Sequence, residues 1–261
     1  MELFPVPAQA DIVAGLMVLL RVSSMVLFLP VLGHQVVPTQ VKIGLIGMIT
    51  LLIFPVVRHT LPEISLTPLA LALMAGQELL IGGMIAMLAQ LMFGAIQMAG
   101  QVMSYQMGMA IANVFDPASN SQIGIVGQIA VVLAMLMWMI VGAHHAVLLS
   151  LADSFTLFPM GHAWSMQGWD TLNNAAAGLF SLSIRLCAPI LLLMTLCYAA
   201  LGLLSRAVPQ IQIFFVSFPL TISLGLIVFT LSLPAFISLI GDTFKGFAVQ
   251  VPRFLQILAG G

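Results

Sequence analysis

The chain has 261 residues, of which 61% are hydrophobic and only 6% are charged, with 7 Lys and Arg against 8 Asp and Glu. Its mean hydropathy is +1.17, whereas soluble domains carry about a quarter charged residues. This composition excludes a water-soluble globule, a disordered chain, and a nucleic-acid reader that needs a surface rich in Lys and Arg. It predicts an all-α, polytopic membrane protein with about six apolar helical segments, paired as long helical hairpins.

Apolar stretches follow one another along the chain, separated by Pro, Gly and polar residues that mark turns. The third stretch is the longest, because Glu78 is the only charged residue between Glu63 and Asp116. It exceeds one untilted span and predicts a long helix that continues beyond the hydrocarbon core and ends at Gly108. We predict apolar helical segments over residues 12–32, 41–57, 66–108, 123–151, 175–204 and 211–241.

A polar loop interrupts this pattern between residues 108 and 122. It gathers Asn113, Asp116 and Pro117, followed by Ser and Asn residues, and all of these favour turns. Backbone of this kind at membrane depth persists only where it is buried in protein or lines an aqueous cavity. We therefore predict a re-entrant, plug-like loop between two long helices.

The second half of the chain has a different pattern of apolar and polar residues. Residues 154–174 contain Trp164 and Trp169, which predict a segment at the membrane interface. The polar turn at residues 205–210 then separates the last two apolar segments. These two segments predict a tight helical hairpin with Arg206 at its tip.

Three charged residues, Arg21, Glu78 and Arg185, lie inside apolar segments. A charge at such a position is costly and by default marks a functional or paired site. For Glu78, three roles remain open: an ion pair with Arg21 or Arg185 or an interhelical hydrogen bond, a place along an aqueous path, or membership of a proton relay. The apolar helix offers no second carboxylate for a relay.

Motifs of catalysis are absent, since the sequence contains no Walker loop, nucleophile elbow, zinc-protease motif or dinucleotide fingerprint. We expect no enzyme, no cofactor and no metal site. His144 and His145 are adjacent, so on a helix they point about 100° apart and need other donors to share a metal. Cys187 and Cys197 are interpreted as small buried hydrophobes.

Three stretches of the sequence form recognisable motifs. They are Pro30-Val31-Leu32-Gly33 with Val41-Lys42-Ile43-Gly44-Leu45, Gln77-Glu78-Leu79-Leu80-Ile81-Gly82 with Phe115-Asp116-Pro117, and Ser205-Arg206-Ala207-Val208-Pro209-Gln210 with Phe218-Pro219. In their order and spacing they resemble one family: the FliR type of export-gate subunit in the flagellar type III secretion apparatus, whose virulence-injectisome relatives look much the same. Two positions depart from the family pattern, because Gln212 stands where Asn is common and Thr221 where Lys is common.

The resemblance implies a core subunit that joins FliP-type and FliQ-type sister membrane proteins in a hetero-oligomer through which unfolded proteins pass. FlhB-type and FlhA-type export proteins are further expected partners, and nucleic acid is not. Residues 1–170 would correspond to a FliP-like part and residues 171–261 to a FliQ-like hairpin and tail. The protein would lie in the bacterial inner membrane, at the flagellar basal body.

The resemblance also assigns roles to two short segments. The hairpin tip, with Arg206, Pro209 and Gln210, would face the cytoplasm, an orientation that the balance of charged loops leaves undecided. The loop would be a plug that blocks the pore until secretion starts. We expect Phe115, Met107, Met109 and Ile111 to form its seal and Asn113 and Asp116 to fix it through turn hydrogen bonds. The implied plug residues are Gly108, Met109, Ile111, Asn113, Phe115, Asp116 and Pro117.

Two other functions stay open from the sequence. A secondary transporter for a small solute or ion would use Glu78, Arg21 and Arg185 as substrate or coupling sites. Transporters of this kind often contain inverted repeats with matching broken segments, and the long helix and polar loop have no counterpart after Asp153. A purely structural assembly factor without a role in the pore is the other alternative.

Overall fold

The structure, a computed structural model, describes residues 9–33, 37–58, 67–109, 124–162, 167–208 and 213–259. Within these ranges the regular secondary structure is helical and contains no strand, which confirms the predicted all-α class. Seven helices occur in the described ranges: α1 (Gln9–Phe28), α2 (Thr39–Val57), α3 (Pro68–Gln106), α4 (Ile125–Ile140), α5 (Ala143–Leu157), α6 (Gln167–Ala207) and α7 (Ile213–Leu258).

The helices have the length and composition of membrane spans. In the described part of the chain, five are long and apolar enough to cross a membrane, and the pair α4 and α5 makes six if counted as one bent span. Large apolar side chains are exposed along them, as at Leu51 in α2, Leu203 in α6 and Leu231 in α7. The protein is therefore a multi-pass membrane protein.

The long third helix is confirmed. Helix α3 has 39 residues, which at 1.5 Å per residue is about 60 Å and about twice the thickness of the hydrocarbon core. It ends before Gly108, whose φ of +78° lies in the left-handed region. Glycine reaches this conformation without a Cβ clash, so it suits the residue that terminates a helix.

The fourth predicted segment, over residues 123–151, is divided in the structure, because the chain bends by 64° between α4 and α5. The bend is centred on Gly142, whose φ of +73° breaks the helix. The predicted interfacial segment from residue 154 also differs, since α5 continues to Leu157 and Ser154 is buried. Of the two tryptophans, Trp164 and the side chain of Trp169 lie outside the described residues.

Two compact units are built from interleaved parts of the sequence. Unit 1 consists of Met1–Leu91, Gly142–Ala175 and Lys245–Gly261, and unit 2 of Met92–Val141 and Ala176–Phe244. Helices α3, α6 and α7 each contribute residues to both. The predicted boundary after residue 170 concerns similarity to sister subunits rather than compactness, and it stays a prediction.

In unit 1, α2 contacts α1 and α5. Helices α1 and α3 approach each other closely at Gly82, where a Cβ would overlap the carbonyl oxygen of Arg21 and the hydroxyl of Ser24. Gly82 follows Glu78 by one helical turn and so lies on the same face of α3. The missing side chain at this position lets the backbone of α1 come near that face.

Unit 2 has an apolar core. Gly100 on α3 faces Gly127 on α4, where a Cβ on Gly100 would lie 2.5 Å from the Gly127 Cα. Small residues of this kind allow membrane helices to pack backbone against backbone. Phe93, Trp138 and Phe244 form a ring cluster with centroids 5.1 to 5.5 Å apart.

Candidate functional site

A buried ion pair links α1 to α3 in unit 1. Arg21 and Glu78 are both 0% exposed. The Arg21 Nε donates a hydrogen bond to Glu78 Oε2 at 2.5 Å, and Nη2 donates to Oε1 at 3.0 Å. This bidentate geometry is the strongest common form of a guanidinium–carboxylate contact. Of the two arginines that the sequence offered as partners for Glu78, the structure pairs it with Arg21.

The remaining donors of Arg21 reach the end of α5. Nη1 donates to Ser154 Oγ at 3.0 Å, and Nη2 donates to the carbonyl oxygen of Phe158 at 3.2 Å. Phe158 caps the C-terminus of α5, where carbonyl groups lack partners within the helix and the helix dipole favours a cation. The guanidinium also lies over the Phe155 ring, 4.1 Å from its centroid. Arg21 thus joins three helices at one point.

This cluster, formed by Arg21, Glu78, Ser154, Phe155 and Phe158, is called the arginine clamp below. Its opposite charges compensate each other, and both carboxylate oxygens of Glu78 accept hydrogen bonds from Arg21. A pair of this kind holds helices in register, because either charge left alone in an apolar interior is costly. Among the roles left open for Glu78, these contacts match the ion pair.

The other polar candidates are not part of the clamp. Arg185 belongs to unit 2 and is exposed on α6. The rings of His144 and His145 lie 4.1 Å apart between centroids at the start of α5, with their planes tilted by 41°. Among the described residues, no group of three or more His, Cys, Asp or Glu side chains is placed to hold a metal ion.

The structure describes the chain on both sides of the polar loop, up to residue 109 and again from residue 124. Of its predicted plug residues, Gly108 and Met109 are described, whereas Ile111, Asn113, Phe115, Asp116 and Pro117 lie outside the described residues.

Helices α6 and α7 both contact the end of α3 that leads into the loop. The hydroxyl of Tyr198 on α6 donates to the Gln106 carbonyl oxygen at 2.6 Å. The hydroxyl of Thr221 on α7 lies 3.2 Å from the carbonyl oxygen of Met107. All of these residues belong to unit 2.

The predicted hairpin tip is described only in part. Arg206 is exposed in the last turn of α6, where a cation interacts favourably with the helix dipole. Pro209 and Gln210 lie outside the described residues. Helix α7 begins soon after, at Ile213, so two long helices follow each other through a short connection.

Several contact residues could not be identified from the sequence. Ser154 and Phe158 gave no signal, because they meet Arg21 only when the chain bends at Gly142. Tyr198 belongs to no motif. Thr221 differs from the Lys that is common in the family pattern, and its contact with Met107 follows from the placement of α7.

Comparison with known proteins gives consistent matches. The family described as "Bacterial export proteins, family 1" matches residues 12–247. The chain is 33% identical over 210 residues to the flagellar biosynthetic protein FliR of Escherichia coli, covering 80% of this chain and 79% of that protein. It is 28% identical over 251 residues to FliR of Bacillus subtilis, covering 95% and 96%. It is 26% identical over 216 residues to the Yop proteins translocation protein T of Yersinia pestis, covering 81% and 82%.

Proposed function

This chain belongs to the bacterial export proteins, family 1, and we propose from this premise that it is a core subunit of the flagellar type III protein export gate. The observation that carries the proposal is the family match over residues 12–247, which includes most of all seven helices. The family membership confirms the resemblance found in the three sequence stretches. The subunit would help to form and to close the channel through which unfolded flagellar proteins leave the cell.

We propose that the chain does this in a hetero-oligomer with FliP-type and FliQ-type sister proteins, in the bacterial inner membrane at the flagellar basal body. FlhA-type and FlhB-type export proteins would contact the assembly from the cytoplasm, near Arg206. The apolar side chains exposed along α2, α6 and α7 support this proposal, since sister helices in a membrane assembly could cover them. Its role is conduction and sealing rather than catalysis.

The loop over residues 108–122 would act as the plug of the channel. A conduit for unfolded chains must block ions when idle and yet bind no side chain tightly. Apolar residues such as Phe115, Met109 and Ile111 would meet this need, and Asn113 and Asp116 would fix the loop through turn hydrogen bonds. The turn-forming composition of the segment supports this assignment.

The solute-transporter alternative has less support. It requires Glu78 and Arg21 to be available to a substrate or coupling ion. In the arginine clamp, however, each is 0% exposed and the two are hydrogen-bonded to each other. Releasing either charge would leave the other unpaired, at a cost of about 3–5 kcal/mol.

Deletion of the gene from its host tests the proposed function. We expect flagellar proteins to disappear from the culture medium while cell growth continues, and a plasmid copy of the chain to restore their secretion. A plasmid copy that lacks residues 205–258 serves as the negative control. Normal secretion of flagellar proteins, together with loss of uptake of a small solute, would favour a transporter instead.

Deletion of residues 108–122 tests the plug. The variant, co-expressed with its sister subunits, should make the membrane leaky to ions without preventing assembly. A potential-sensitive dye reports the leak, and co-purification of the sister subunits reports assembly. Cells that assemble the variant complex and keep normal ion gradients would show that this segment is not the plug.

A further inference from the structure

One arginine of the apolar helices has no counter-charge in the described part of the chain. Arg185 lies in α6, within an apolar span that runs over Asn173–Ala207. It is exposed, and among the residues that the structure describes it takes part in no hydrogen bond or ion pair. Arg21, the other arginine inside an apolar segment, is 0% exposed and paired with Glu78. The described chain therefore compensates one of these two charges and not the other.

The position of Arg185 along α6 makes an unpaired charge costly. It lies about 18 Å along the helix from the start of the apolar span. Arginines near a helix end reach the lipid headgroups with their long side chains, whereas those farther inside face protein or a water-filled cavity and pair there. A guanidinium also carries five N–H donors and no acceptor. We therefore expect a negatively charged acceptor beside Arg185 in the assembled protein.

The face of α6 around Arg185 suits close contact with another helix. Ser181 and Gly178 precede Arg185 by about one and two helical turns and are exposed on the same face. A Cβ placed on Gly178 would meet no atom within 4 Å. Small residues at this spacing let a neighbouring membrane helix approach closely. The described chain leaves this face of α6 uncovered.

Large apolar side chains surround the arginine. Phe180 and Ile184 are 56% and 59% exposed, and Leu192, about two turns further along the same face, is 66% exposed. Water would hydrate the charge but would leave these side chains in contact with water. Lipid tails would cover them but cannot compensate a charge. A helix that carries a carboxylate meets both needs, because it covers the apolar side chains and accepts a bidentate contact from the guanidinium.

We propose that the face of α6 formed by Gly178, Ser181, Arg185 and Leu192 docks a helix of a sister subunit, and that an Asp or Glu in an apolar part of that helix pairs with Arg185. This inference rests on the proposed function, because it requires the hetero-oligomer. The four residues are called the α6 docking face below. The contact has the chemistry of the arginine clamp, with the carboxylate supplied by another chain.

A zero-length crosslink tests for the carboxylate directly. Arg185→Lys is co-expressed with the sister subunits, and the purified complex is treated with a membrane-permeant carbodiimide. The reagent joins an amine to an adjacent carboxyl group as an amide and takes up the water that is lost. Mass spectrometry of the digested product identifies the acidic residue. Arg58→Lys is the positive control, since Arg58 lies 2.7 Å from Asp11 in an exposed pair. The native complex gives the background from Lys42 and Lys245.

Charge reversal tests what the contact contributes to assembly. Because Arg185 has no partner in the described part of its own chain, Arg185→Glu should leave the unfolding of the isolated chain in detergent unchanged. In the assembly it places a second negative charge beside the sister's carboxylate, so the association constant should fall at least about a hundredfold. Recovery of the hetero-oligomer at low expression reports this loss. Exchange of the crosslinked Asp or Glu for Arg in the same complex should restore recovery.

The proposal expects a crosslink from Arg185→Lys to a sister's carboxyl group above the native background, loss of assembly in Arg185→Glu, and rescue by the exchanged pair. A crosslink to a carboxyl group of this chain would overturn it, because Arg185 would then be compensated internally. Normal assembly of Arg185→Glu with no crosslink, while Arg58→Lys does crosslink, would also overturn it and would indicate lipid headgroups or water beside Arg185. If the native chain forms no hetero-oligomer, the proposed function fails and the α6 docking face fails with it.

Discussion

The two compact units hold their helices together by different means. In unit 1 the arginine clamp joins α1, α3 and α5 through a buried charge pair and four hydrogen bonds from Arg21. In unit 2, close glycine contact between α3 and α4 and the ring cluster around Trp138 serve this purpose. Lipid is as apolar as leucine, so burial of apolar surface drives little association between membrane helices. Directional bonds and close packing both promote this association, and this chain uses both.

The difference has a consequence for how each unit fails. A charge pair concentrates the attraction in a few atoms, so removal of one partner leaves an uncompensated charge. Packing spreads the attraction over many small contacts, so a single truncation removes only a share of it. We therefore expect unit 1 to be more sensitive than unit 2 to one well-chosen substitution.

The largest effect is expected from Glu78→Leu, which leaves Arg21 buried without its carboxylate. The free energy of unfolding should fall by about 3–5 kcal/mol, as measured by unfolding in detergent micelles with increasing sodium dodecyl sulfate. Gln77→Leu is the matched control, because Gln77 is the neighbouring residue, is partly exposed and makes one hydrogen bond, to the His162 carbonyl at 2.8 Å. A loss in Glu78→Leu no larger than that in the control would contradict the clamp.

The double variant Arg21→Met/Glu78→Met tests whether the instability of Glu78→Leu comes from the unpaired charge of Arg21. Removing both charges also removes the unpaired ion, so the double variant should be more stable than Glu78→Leu alone. If the losses of stability in Arg21→Met and Glu78→Met add up to the loss in the double variant, the two residues are not coupled. The free energy of unfolding of each variant is measured by the same titration with sodium dodecyl sulfate.

A smaller effect is expected from Trp138→Ala in unit 2. Such truncations cost about 3–5 kcal/mol in soluble cores, but in lipid the transfer of the side chain contributes little, so we expect about 2–3 kcal/mol. Trp138→Phe should retain much of the contact with Phe93 and Phe244. If Trp138→Ala destabilises the protein more than Glu78→Leu does, the proposed contrast between the units is wrong.

The smallest effect is expected from Arg58→Ala. Arg58 donates to Asp11 at 2.7 Å, and its side chain is 54% exposed. This pair has the same chemistry as the clamp, but solvent screens it, so its loss should cost about 0.5 kcal/mol and less at high salt. A cost near that of Glu78→Leu would mean that charge pairing, and not burial, determines the strength of the clamp.

Much of the fold could be predicted from the sequence, because long apolar runs predict membrane helices. The end of α3 before Gly108 followed from a glycine that interrupts an apolar sequence. The hairpin with Arg206 at its tip stays a prediction. The family also followed, since its motifs keep their order and spacing along the chain.

The bend at Gly142 and the contacts that depend on it could not be predicted. A single glycine in an apolar sequence is compatible with close helix packing and with a helix break. Which of the two occurs depends on the neighbouring helices. The pairing of Glu78 with Arg21 rather than with Arg185 depends on the same arrangement. The hydrogen bond from Tyr198 to the Gln106 carbonyl oxygen forms only because α6 lies beside the end of α3.

The proposed role in the export gate is tested most directly by co-expressing this chain with its FliP-type and FliQ-type sister proteins. Native mass spectrometry then determines the composition of the purified product. We predict a defined hetero-oligomer that contains this chain together with both sisters. A lone monomer or a homodimer, recovered while the sisters assemble without it, would contradict the proposed role in the export gate.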